Sequence, residues 1–270
     1  YKTILLSLLI LPLPLLLGSC EKEEEIENTR WVLVWLDEFD TPTPDNRPDP
    51  SKWTYEKGAS GYGNQELQNY TDRVENASYT THKGLGCLKI TALNDNYDGV
   101  AYSSARIKTE GLFEQRYGRF EARLKLPYGP GLWPAFWMLG ANYATDVWPK
   151  CGEIDIMENV GYDPDTIVGS SHTEKYNHAI GTQKNAKIAC PDCYKAFHVY
   201  ALEWEEDEYR LYVDDQLYFT FKNEGTGYEV WPYDKRFHIL LNLAIGGNWG
   251  GQKGIDDSLF PHVFEIDYVR

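Results

Sequence analysis

Between Arg119 and Leu126 the chain alternates strictly: Phe120, Ala122, Leu124 and Leu126 take turns with Arg119, Glu121, Arg123 and Lys125. A period of two is that of a strand with one face in a core and the other polar. Glu208–Thr220 (EYRLYVDDQLYFT) repeats the pattern on both sides of Asp214-Asp215, which predicts two strands joined by a tight turn. Phe237–Ile245 and Phe264–Arg270 read as further strands, and Thr41–Pro50 (TPTPDNRPDP) as a loop. Residues 30–270 show no long helical periodicity, no internal repeat and no low-complexity linker. Many short strands separated by Gly, Pro, Asn and Asp clusters predict one all-β domain, a sandwich or jelly roll of antiparallel sheets.

The amino-terminal pattern is of another kind. Lys2 precedes an apolar run, Ile4–Leu17, that carries Pro12 and Pro14 and ends in Gly18-Ser19-Cys20. That run is shorter than the roughly 20 residues needed to span a hydrocarbon core. Basic start, short apolar stretch and small residues predict a secretory signal over residues 1–19. Leu17-Gly18-Ser19-Cys20 resembles a bacterial lipobox, which makes Cys20 the lipidation site. The acidic run Glu21–Glu25 resembles the export signal of surface lipoproteins in Bacteroides-like bacteria. Residues 20–29 are then expected to be an acidic, flexible tether, and residues 30–270 the working domain, exported and anchored to the outer membrane.

Composition narrows the partners. Forty-one acidic against 26 basic side chains give a net charge of −15, and −16 once Lys2 is removed with residues 1–19. Such a surface repels nucleic acid and disfavours a strongly anionic substrate. Nine Trp and 20 Tyr suit an uncharged partner with flat apolar faces. Cys190-Pro191-Asp192-Cys193 has the spacing of a redox pair or half a metal site. With no second such pair zinc is the weaker reading, and a local disulfide in an exported protein is the expectation. The pairing of Cys87 and Cys151 stays open.

The segment that carries chemistry is Cys151–Asn159 (CGEIDIMEN). In a regular strand Glu153 and Asp155 share one face, Ile154 and Ile156 the other, and Glu158 falls among the isoleucines. A buried, unpaired carboxylate there is costly. One extra residue, a β-bulge, shifts the parity and returns Glu158 to the side of Glu153 and Asp155. Three crowded carboxylates cannot all ionise, so a proton is shared and one pKa rises. Hydrolysis of a glycosidic bond with retention needs that inequality: one carboxylate attacks while a second, protonated, donates. A calcium site built from the same acids and a merely solvated strand face are the competing readings, and neither accounts for the flanking aromatics.

With those residues, GEIDIMENVG, and with YGNQELQNYT (62–71), SARIKT (104–109), YGRFEAR (117–123), GLWPAFWML (131–139) and NLAIGGNW (242–249), the chain resembles glycoside hydrolase family 16. The resemblance is to its laminarinase-like branch with the bulged strand, and it covers almost all of residues 30–270. It implies a β-jelly roll with a concave cleft. It also implies that Glu153 is the nucleophile, Asp155 its assisting acid and Glu158 the general acid/base. Trp133, Trp137 and Trp249 are implied to contact glucose units, and Asn64, Arg106 and His172 to bind sugar hydroxyls. His172 is followed by Thr173 where the family more often has Trp, which weakens its claim. Trp148 sits in a loop beside the catalytic strand; Trp31, Trp35, Trp53, Trp204 and Trp231 are read as structural. No cofactor is needed for catalysis, but many relatives hold a structural Ca2+ at positions matching Glu38, Gly86 and Asp267; plain surface acids are the alternative.

The expected activity is endo-acting, retaining cleavage of β-1,3-glucan (laminarin) or mixed-linkage β-1,3-1,4-glucan. The alternatives are a galactan-active relative, of agarase or carrageenase type, and a non-catalytic glycan-binding lipoprotein. A monomer is the default, and linkage preference is not legible in the sequence.

Overall fold

The structure, a computed structural model, describes residues 31–270, so the signal segment 1–19, the lipidation site Cys20 and the tether 20–29 lie outside the described residues. Leu33–Arg270 forms one compact unit. Numbered along the chain, a seven-stranded sheet has the order β1 (Thr54–Glu56), β6 (Arg106–Lys108), β15 (Phe237–Ile245), β8 (Leu132–Gly140), β9 (Glu153–Glu158), β10 (Thr166–His172) and β11 (Lys184–Ala189). The second sheet runs β14 (Gln216–Lys222), β13 (Glu208–Val213), β12 (His198–Trp204), β7 (Gly118–Lys125), β16 (His262–Val269), β4 (Leu85–Tyr97), β5 (Val100–Ser104) and β2 (Gln68–Tyr70). A further strand, β3 (Ala77–His82), pairs with β4. The expected jelly-roll sandwich is present, with one departure from antiparallel pairing: β2 lies parallel to β5.

The alternating positions become the two faces of strands. Phe120, Ala122 and Leu124 of β7 point into the core between the sheets, and their charged neighbours point out. From the other sheet, Phe136 and Met138 of β8 and Ile239, Leu241 and Leu243 of β15 meet them. Fully burying each such side chain is worth about 1.5–3 kcal/mol. A one-residue slip would turn all of a strand's apolar residues outward, so register is strongly fixed. At the β13–β14 hairpin Asp214 and Asp215 have φ of 47° and 64°, the left-handed pair that matches the strands' twist. Trp53, Trp204 and Trp231 are buried, and Trp35 stacks on Phe113 at 5.0 Å, as their structural reading requires.

One expectation fails. Cys87, Cys151, Cys190 and Cys193 are all free and buried, so the local disulfide between Cys190 and Cys193 is not formed. The Cys193 N–H closes a turn on the Cys190 carbonyl, and its thiol is aimed at the Pro164 carbonyl 3.1 Å away.

The two ends of the domain meet where Asp37 bridges Val269. Near there the Glu38 carboxylate accepts from Arg270 Nε (2.7 Å) and Nη2 (3.0 Å), and Asp267 accepts from Arg123 Nη1 (2.6 Å). Gly86 is pressed against the first segment: a Cβ there would lie 2.6 Å from the Phe39 carbonyl oxygen. Both carboxylates of the Glu38, Gly86 and Asp267 set are thus engaged by arginines, Glu38 by Arg270 and Asp267 by Arg123.

Candidate active site

The outward face of the seven-stranded sheet is the floor of a cleft of about 530 Å³. Its lining follows strand parity. Trp133, Ala135, Trp137 and Leu139 of β8, and His238, Leu240, Asn242 and Ala244 of β15, face the cleft while their neighbours face the core. The cleft also takes Arg106 and Lys108 from β6 and Asn64 from the loop before β2.

At the centre is β9, and its bulge is real. Phe136 faces Met157 across β8, but the next position, Trp137, faces Asp155, so Ile156 is the extra residue. β10 matches the irregularity, with Val168 opposite Glu158 and Ser170 opposite Asp155. Ile154, Ile156 and Met157 are all fully buried in the core, and Glu153, Asp155 and Glu158 all line the cleft.

The three acids are held unequally. Glu158 accepts from Trp133 Nε1 at 3.0 Å and from Ser170 Oγ at 3.4 Å. His172 Nε2 stands 3.2 Å from Asp155 Oδ2 and 3.7 Å from Glu153 Oε1. Burial pushes all three carboxyls up to about 8; for Glu153 and Glu158 the Asp155 charge adds to burial, and the facing His172 partly offsets it. Near neutrality the group therefore holds protons that ordinary carboxylates have lost, and the three titrate as a set. A set that keeps one carboxyl protonated beside an ionised one can donate a proton and attack in the same event.

Around this centre the structure gathers most of the binding residues named from sequence. Trp133 and Trp137 stand four residues apart on one strand face with Ala135 between them, about 13 Å along the cleft floor. Trp137 Nε1 donates to Asn242 Oδ1 at 2.7 Å. Asn64 Nδ2 donates to Glu66 Oε1 at 3.2 Å, and Arg106 lies 3.6 Å from the same oxygen and 3.4 Å from Glu56 Oε2. The Arg106 guanidinium also lies over Tyr62 (4.5 Å) and Tyr70 (4.8 Å), so it is locked between charge and aromatic faces. His172, opposite Glu153 in the β9–β10 register, stands beside the acids on the same sheet face with its ring 5.2 Å from that of His178, and Trp249 meets Trp133 edge-on at 5.4 Å.

Sequence reasoning gave no role to Glu66, Trp148, His178 or Asn242. Trp148 reaches the cleft and lies 4.9 Å from the His178 ring. Asn242 accepts from Trp137 and donates to the Tyr70 hydroxyl (3.1 Å), which in turn donates to Glu66 (3.2 Å). A signal for Asn242 was available: like His238, it is a polar residue on the cleft-side parity of a mostly apolar run. None existed for His178, which a separate loop delivers.

Comparison with known proteins agrees with this geometry. The family description "Glycosyl hydrolases family 16" matches residues 51–270. A β-glucanase of Rhodothermus marinus is 48% identical over 248 residues, spanning 89% of this chain and 84% of that protein. The X-ray structure of the laminarinase from Rhodothermus marinus superposes with a TM-score of 0.83 at 48% identity, covering 89% of this chain and 96% of that one. A mutant of a non-specific endo-β-1,3(4)-glucanase from family GH16, co-crystallised with 1,3-β-D-cellotriosyl-glucose, gives a TM-score of 0.83 at 42% identity, over 90% of this chain and 94% of its own.

Proposed function

The chain belongs to glycosyl hydrolase family 16, and from that membership we propose that it is an endo-acting, retaining β-glucanase that cleaves internal linkages of β-1,3-glucan, mixed-linkage β-1,3-1,4-glucan or both. The observation that carries the reading is the parity shift in β9, which gathers Glu153, Asp155 and Glu158 on the cleft floor. Names of similar proteins, β-glucanase and endo-β-1,3(4)-glucanase, support the substrate class.

In this reading Glu153 attacks the anomeric carbon while Glu158 protonates the departing glycosidic oxygen. A covalent glycosyl–enzyme ester forms on Glu153. Glu158, now ionised, takes a proton from water, and that water releases the sugar with its configuration retained. Asp155 sits beside both and tunes them; His172, against Asp155 and Glu153, steadies the charge. Trp133 does two things at once: its N–H holds Glu158 and its ring offers an uncharged platform for a sugar's C–H face.

Side-by-side digestion of laminarin, cereal mixed-linkage glucan, lichenan and agarose tests the reading. Oligosaccharides are expected from the first three and none from agarose. Cleavage of agarose at a comparable rate would move the protein to galactan-active relatives, and binding without cleavage of any of them would make it a glycan-binding protein.

Two further elements stay proposals. Export and anchoring through Cys20 rest on residues 1–25, and Cys20→Ala is expected to move the protein from the membrane pellet to the soluble fraction. A Ca2+ at Glu38, Gly86 and Asp267 rests on the resemblance, and Gly86 packs against the Phe39–Asp40 backbone beside Glu38. Adding Ca2+ to chelator-treated protein is then expected to raise Tm; an unchanged Tm would leave Glu38 and Asp267 as plain partners of Arg270 and Arg123.

A further inference from the structure

We propose that Cys190, Asp192 and His198, with Cys193 completing the set, form a structural site for a zinc-like divalent cation outside the cleft. The Cys190 sulfur, an Asp192 carboxylate oxygen and a His198 ring nitrogen all lie within 4.8 Å of one another. In sequence the ligands read Cys-x2-Cys-x4-His with an acid inside the first interval. His198, five residues past Cys193, opens strand β12.

The imidazole is oriented as a ligand. Its Nδ1 meets Asp214 Oδ2 at 2.5 Å, and Asp214 is itself fixed by the Val199 N–H on Oδ1 at 2.8 Å. With the Nδ1 proton given to Asp214, Nε2 turns its lone pair towards Asp192 Oδ1, 3.2 Å away, and the neighbouring sulfur. Nε2 is enclosed and has no hydrogen-bond partner. A nitrogen lone pair, a carboxylate and a sulfur facing one another repel unless a cation stands among them, and of a proton on Nε2 and a metal ion only the metal engages the sulfur as well. The carboxylate behind the imidazole is the outer partner that metal-bound histidines commonly have.

The donor set selects the ion. Sulfur and imidazole nitrogen favour zinc over the hard cations that take only oxygen. Zinc bonds of about 2.0–2.3 Å put tetrahedral ligands about 3.3–3.8 Å apart, near the observed Asp192–His198 separation. The fourth position falls to Cys193, whose thiol interacts with Cys190 and would exchange its contact with the Pro164 carbonyl for the metal. Cys190 follows β11 at the edge of one sheet, and His198 begins β12 in the other. A metal there ties the two sheets together at one end and holds the 190–197 turn.

Cobalt(II) titration of the reduced, metal-stripped protein tests this. One equivalent is expected to give tetrahedral visible bands and a thiolate-to-cobalt charge-transfer band, both erased by stoichiometric Zn2+. Cys190→Ser should abolish the charge-transfer band. Asp192→Asn changes an exposed side chain and so leaves folding intact, but should shift the visible bands. Asp214→Asn should keep the bands and weaken binding about 10–100-fold. Fully reduced protein that gives no charge-transfer band would overturn the site. So would cobalt binding indifferent to Cys190→Ser, or natively isolated protein with a Cys190–Cys193 disulfide and no zinc.

Discussion

Glu158→Gln is expected to lower kcat/KM on laminarin by about 10³-fold, inside the 10²–10⁴ that a positioned general acid contributes. The amide keeps the size of the side chain and can still accept from Trp133 Nε1, so the loss reports the missing proton and not a collapsed site. The wild-type pH profile should carry the same signature. An acid pushed up to about 8 by burial and the Asp155 charge is protonated at neutral pH. Wild-type kcat/KM should therefore fall as pH rises through about 8, and that alkaline limb should vanish in the variant. Stability supplies the control. A folded-state pKa above the unfolded value near 4.5 means the native protein binds more protons than the unfolded chain between about 4.5 and 8. Stability then falls with rising pH across that window through this group, and Glu158→Gln removes the effect. The variant's Tm relative to wild type should climb from pH 4.5 to 8 while activity is lost. A variant within tenfold of wild-type kcat/KM would remove Glu158 from the acid/base role.

What could be read in advance follows from how local each cause is. Period-two alternation in Arg119–Leu126 and Phe237–Ile245 names a strand and its faces, because side-chain parity is a property of the strand itself. The bulge at Ile156 was legible for the same reason: a carboxylate would otherwise sit in the core with Ile154. Relations between distant segments were not. That His172 stands beside the acids depends on β10 pairing with β9, and that Trp148 meets His178 depends on the segments after β8 and after β10 coming together. His198 and Asp192 are a local case, six residues apart: the spacing was legible, but the packing of β12 against the preceding turn is what brings the ring to Asp192 and Cys190. Hydrogen bonds that pass from Trp137 through Asn242 and Tyr70 to Glu66 likewise join three strands and a loop. Motif reading could name those residues without explaining them.

Glu153→Ala should abolish hydrolysis of laminarin, and azide should then separate its role from that of Glu158. If Glu153 is the nucleophile, its removal opens a space beside the anomeric carbon on the face it attacks. Azide entering there forms the C–N bond as the glycosidic C–O bond breaks, and Glu158 still protonates the leaving oxygen. A single displacement yields the α-glycosyl azide from an activated β-glucoside, with configuration inverted. Removing the carboxyl of Glu158 instead leaves Glu153 in place. With a leaving group that needs no proton, the covalent ester still forms, and azide attacks it from the opposite face to give the β-glycosyl azide with net retention. The two variants thus predict opposite anomers from one reagent, read directly by the proton coupling at the anomeric centre. Steric and burial effects cannot mimic this result, since they change rates and not stereochemistry. The β-azide from Glu153→Ala, or the α-azide from a Glu158→Ala chain, would exchange the two roles. Asp155 is the internal reference: it lies between them, and His172 faces it at 3.2 Å. Asp155→Asn should slow both steps and leave the stereochemistry retained, because it changes the charge felt by its neighbours without supplying either reacting oxygen.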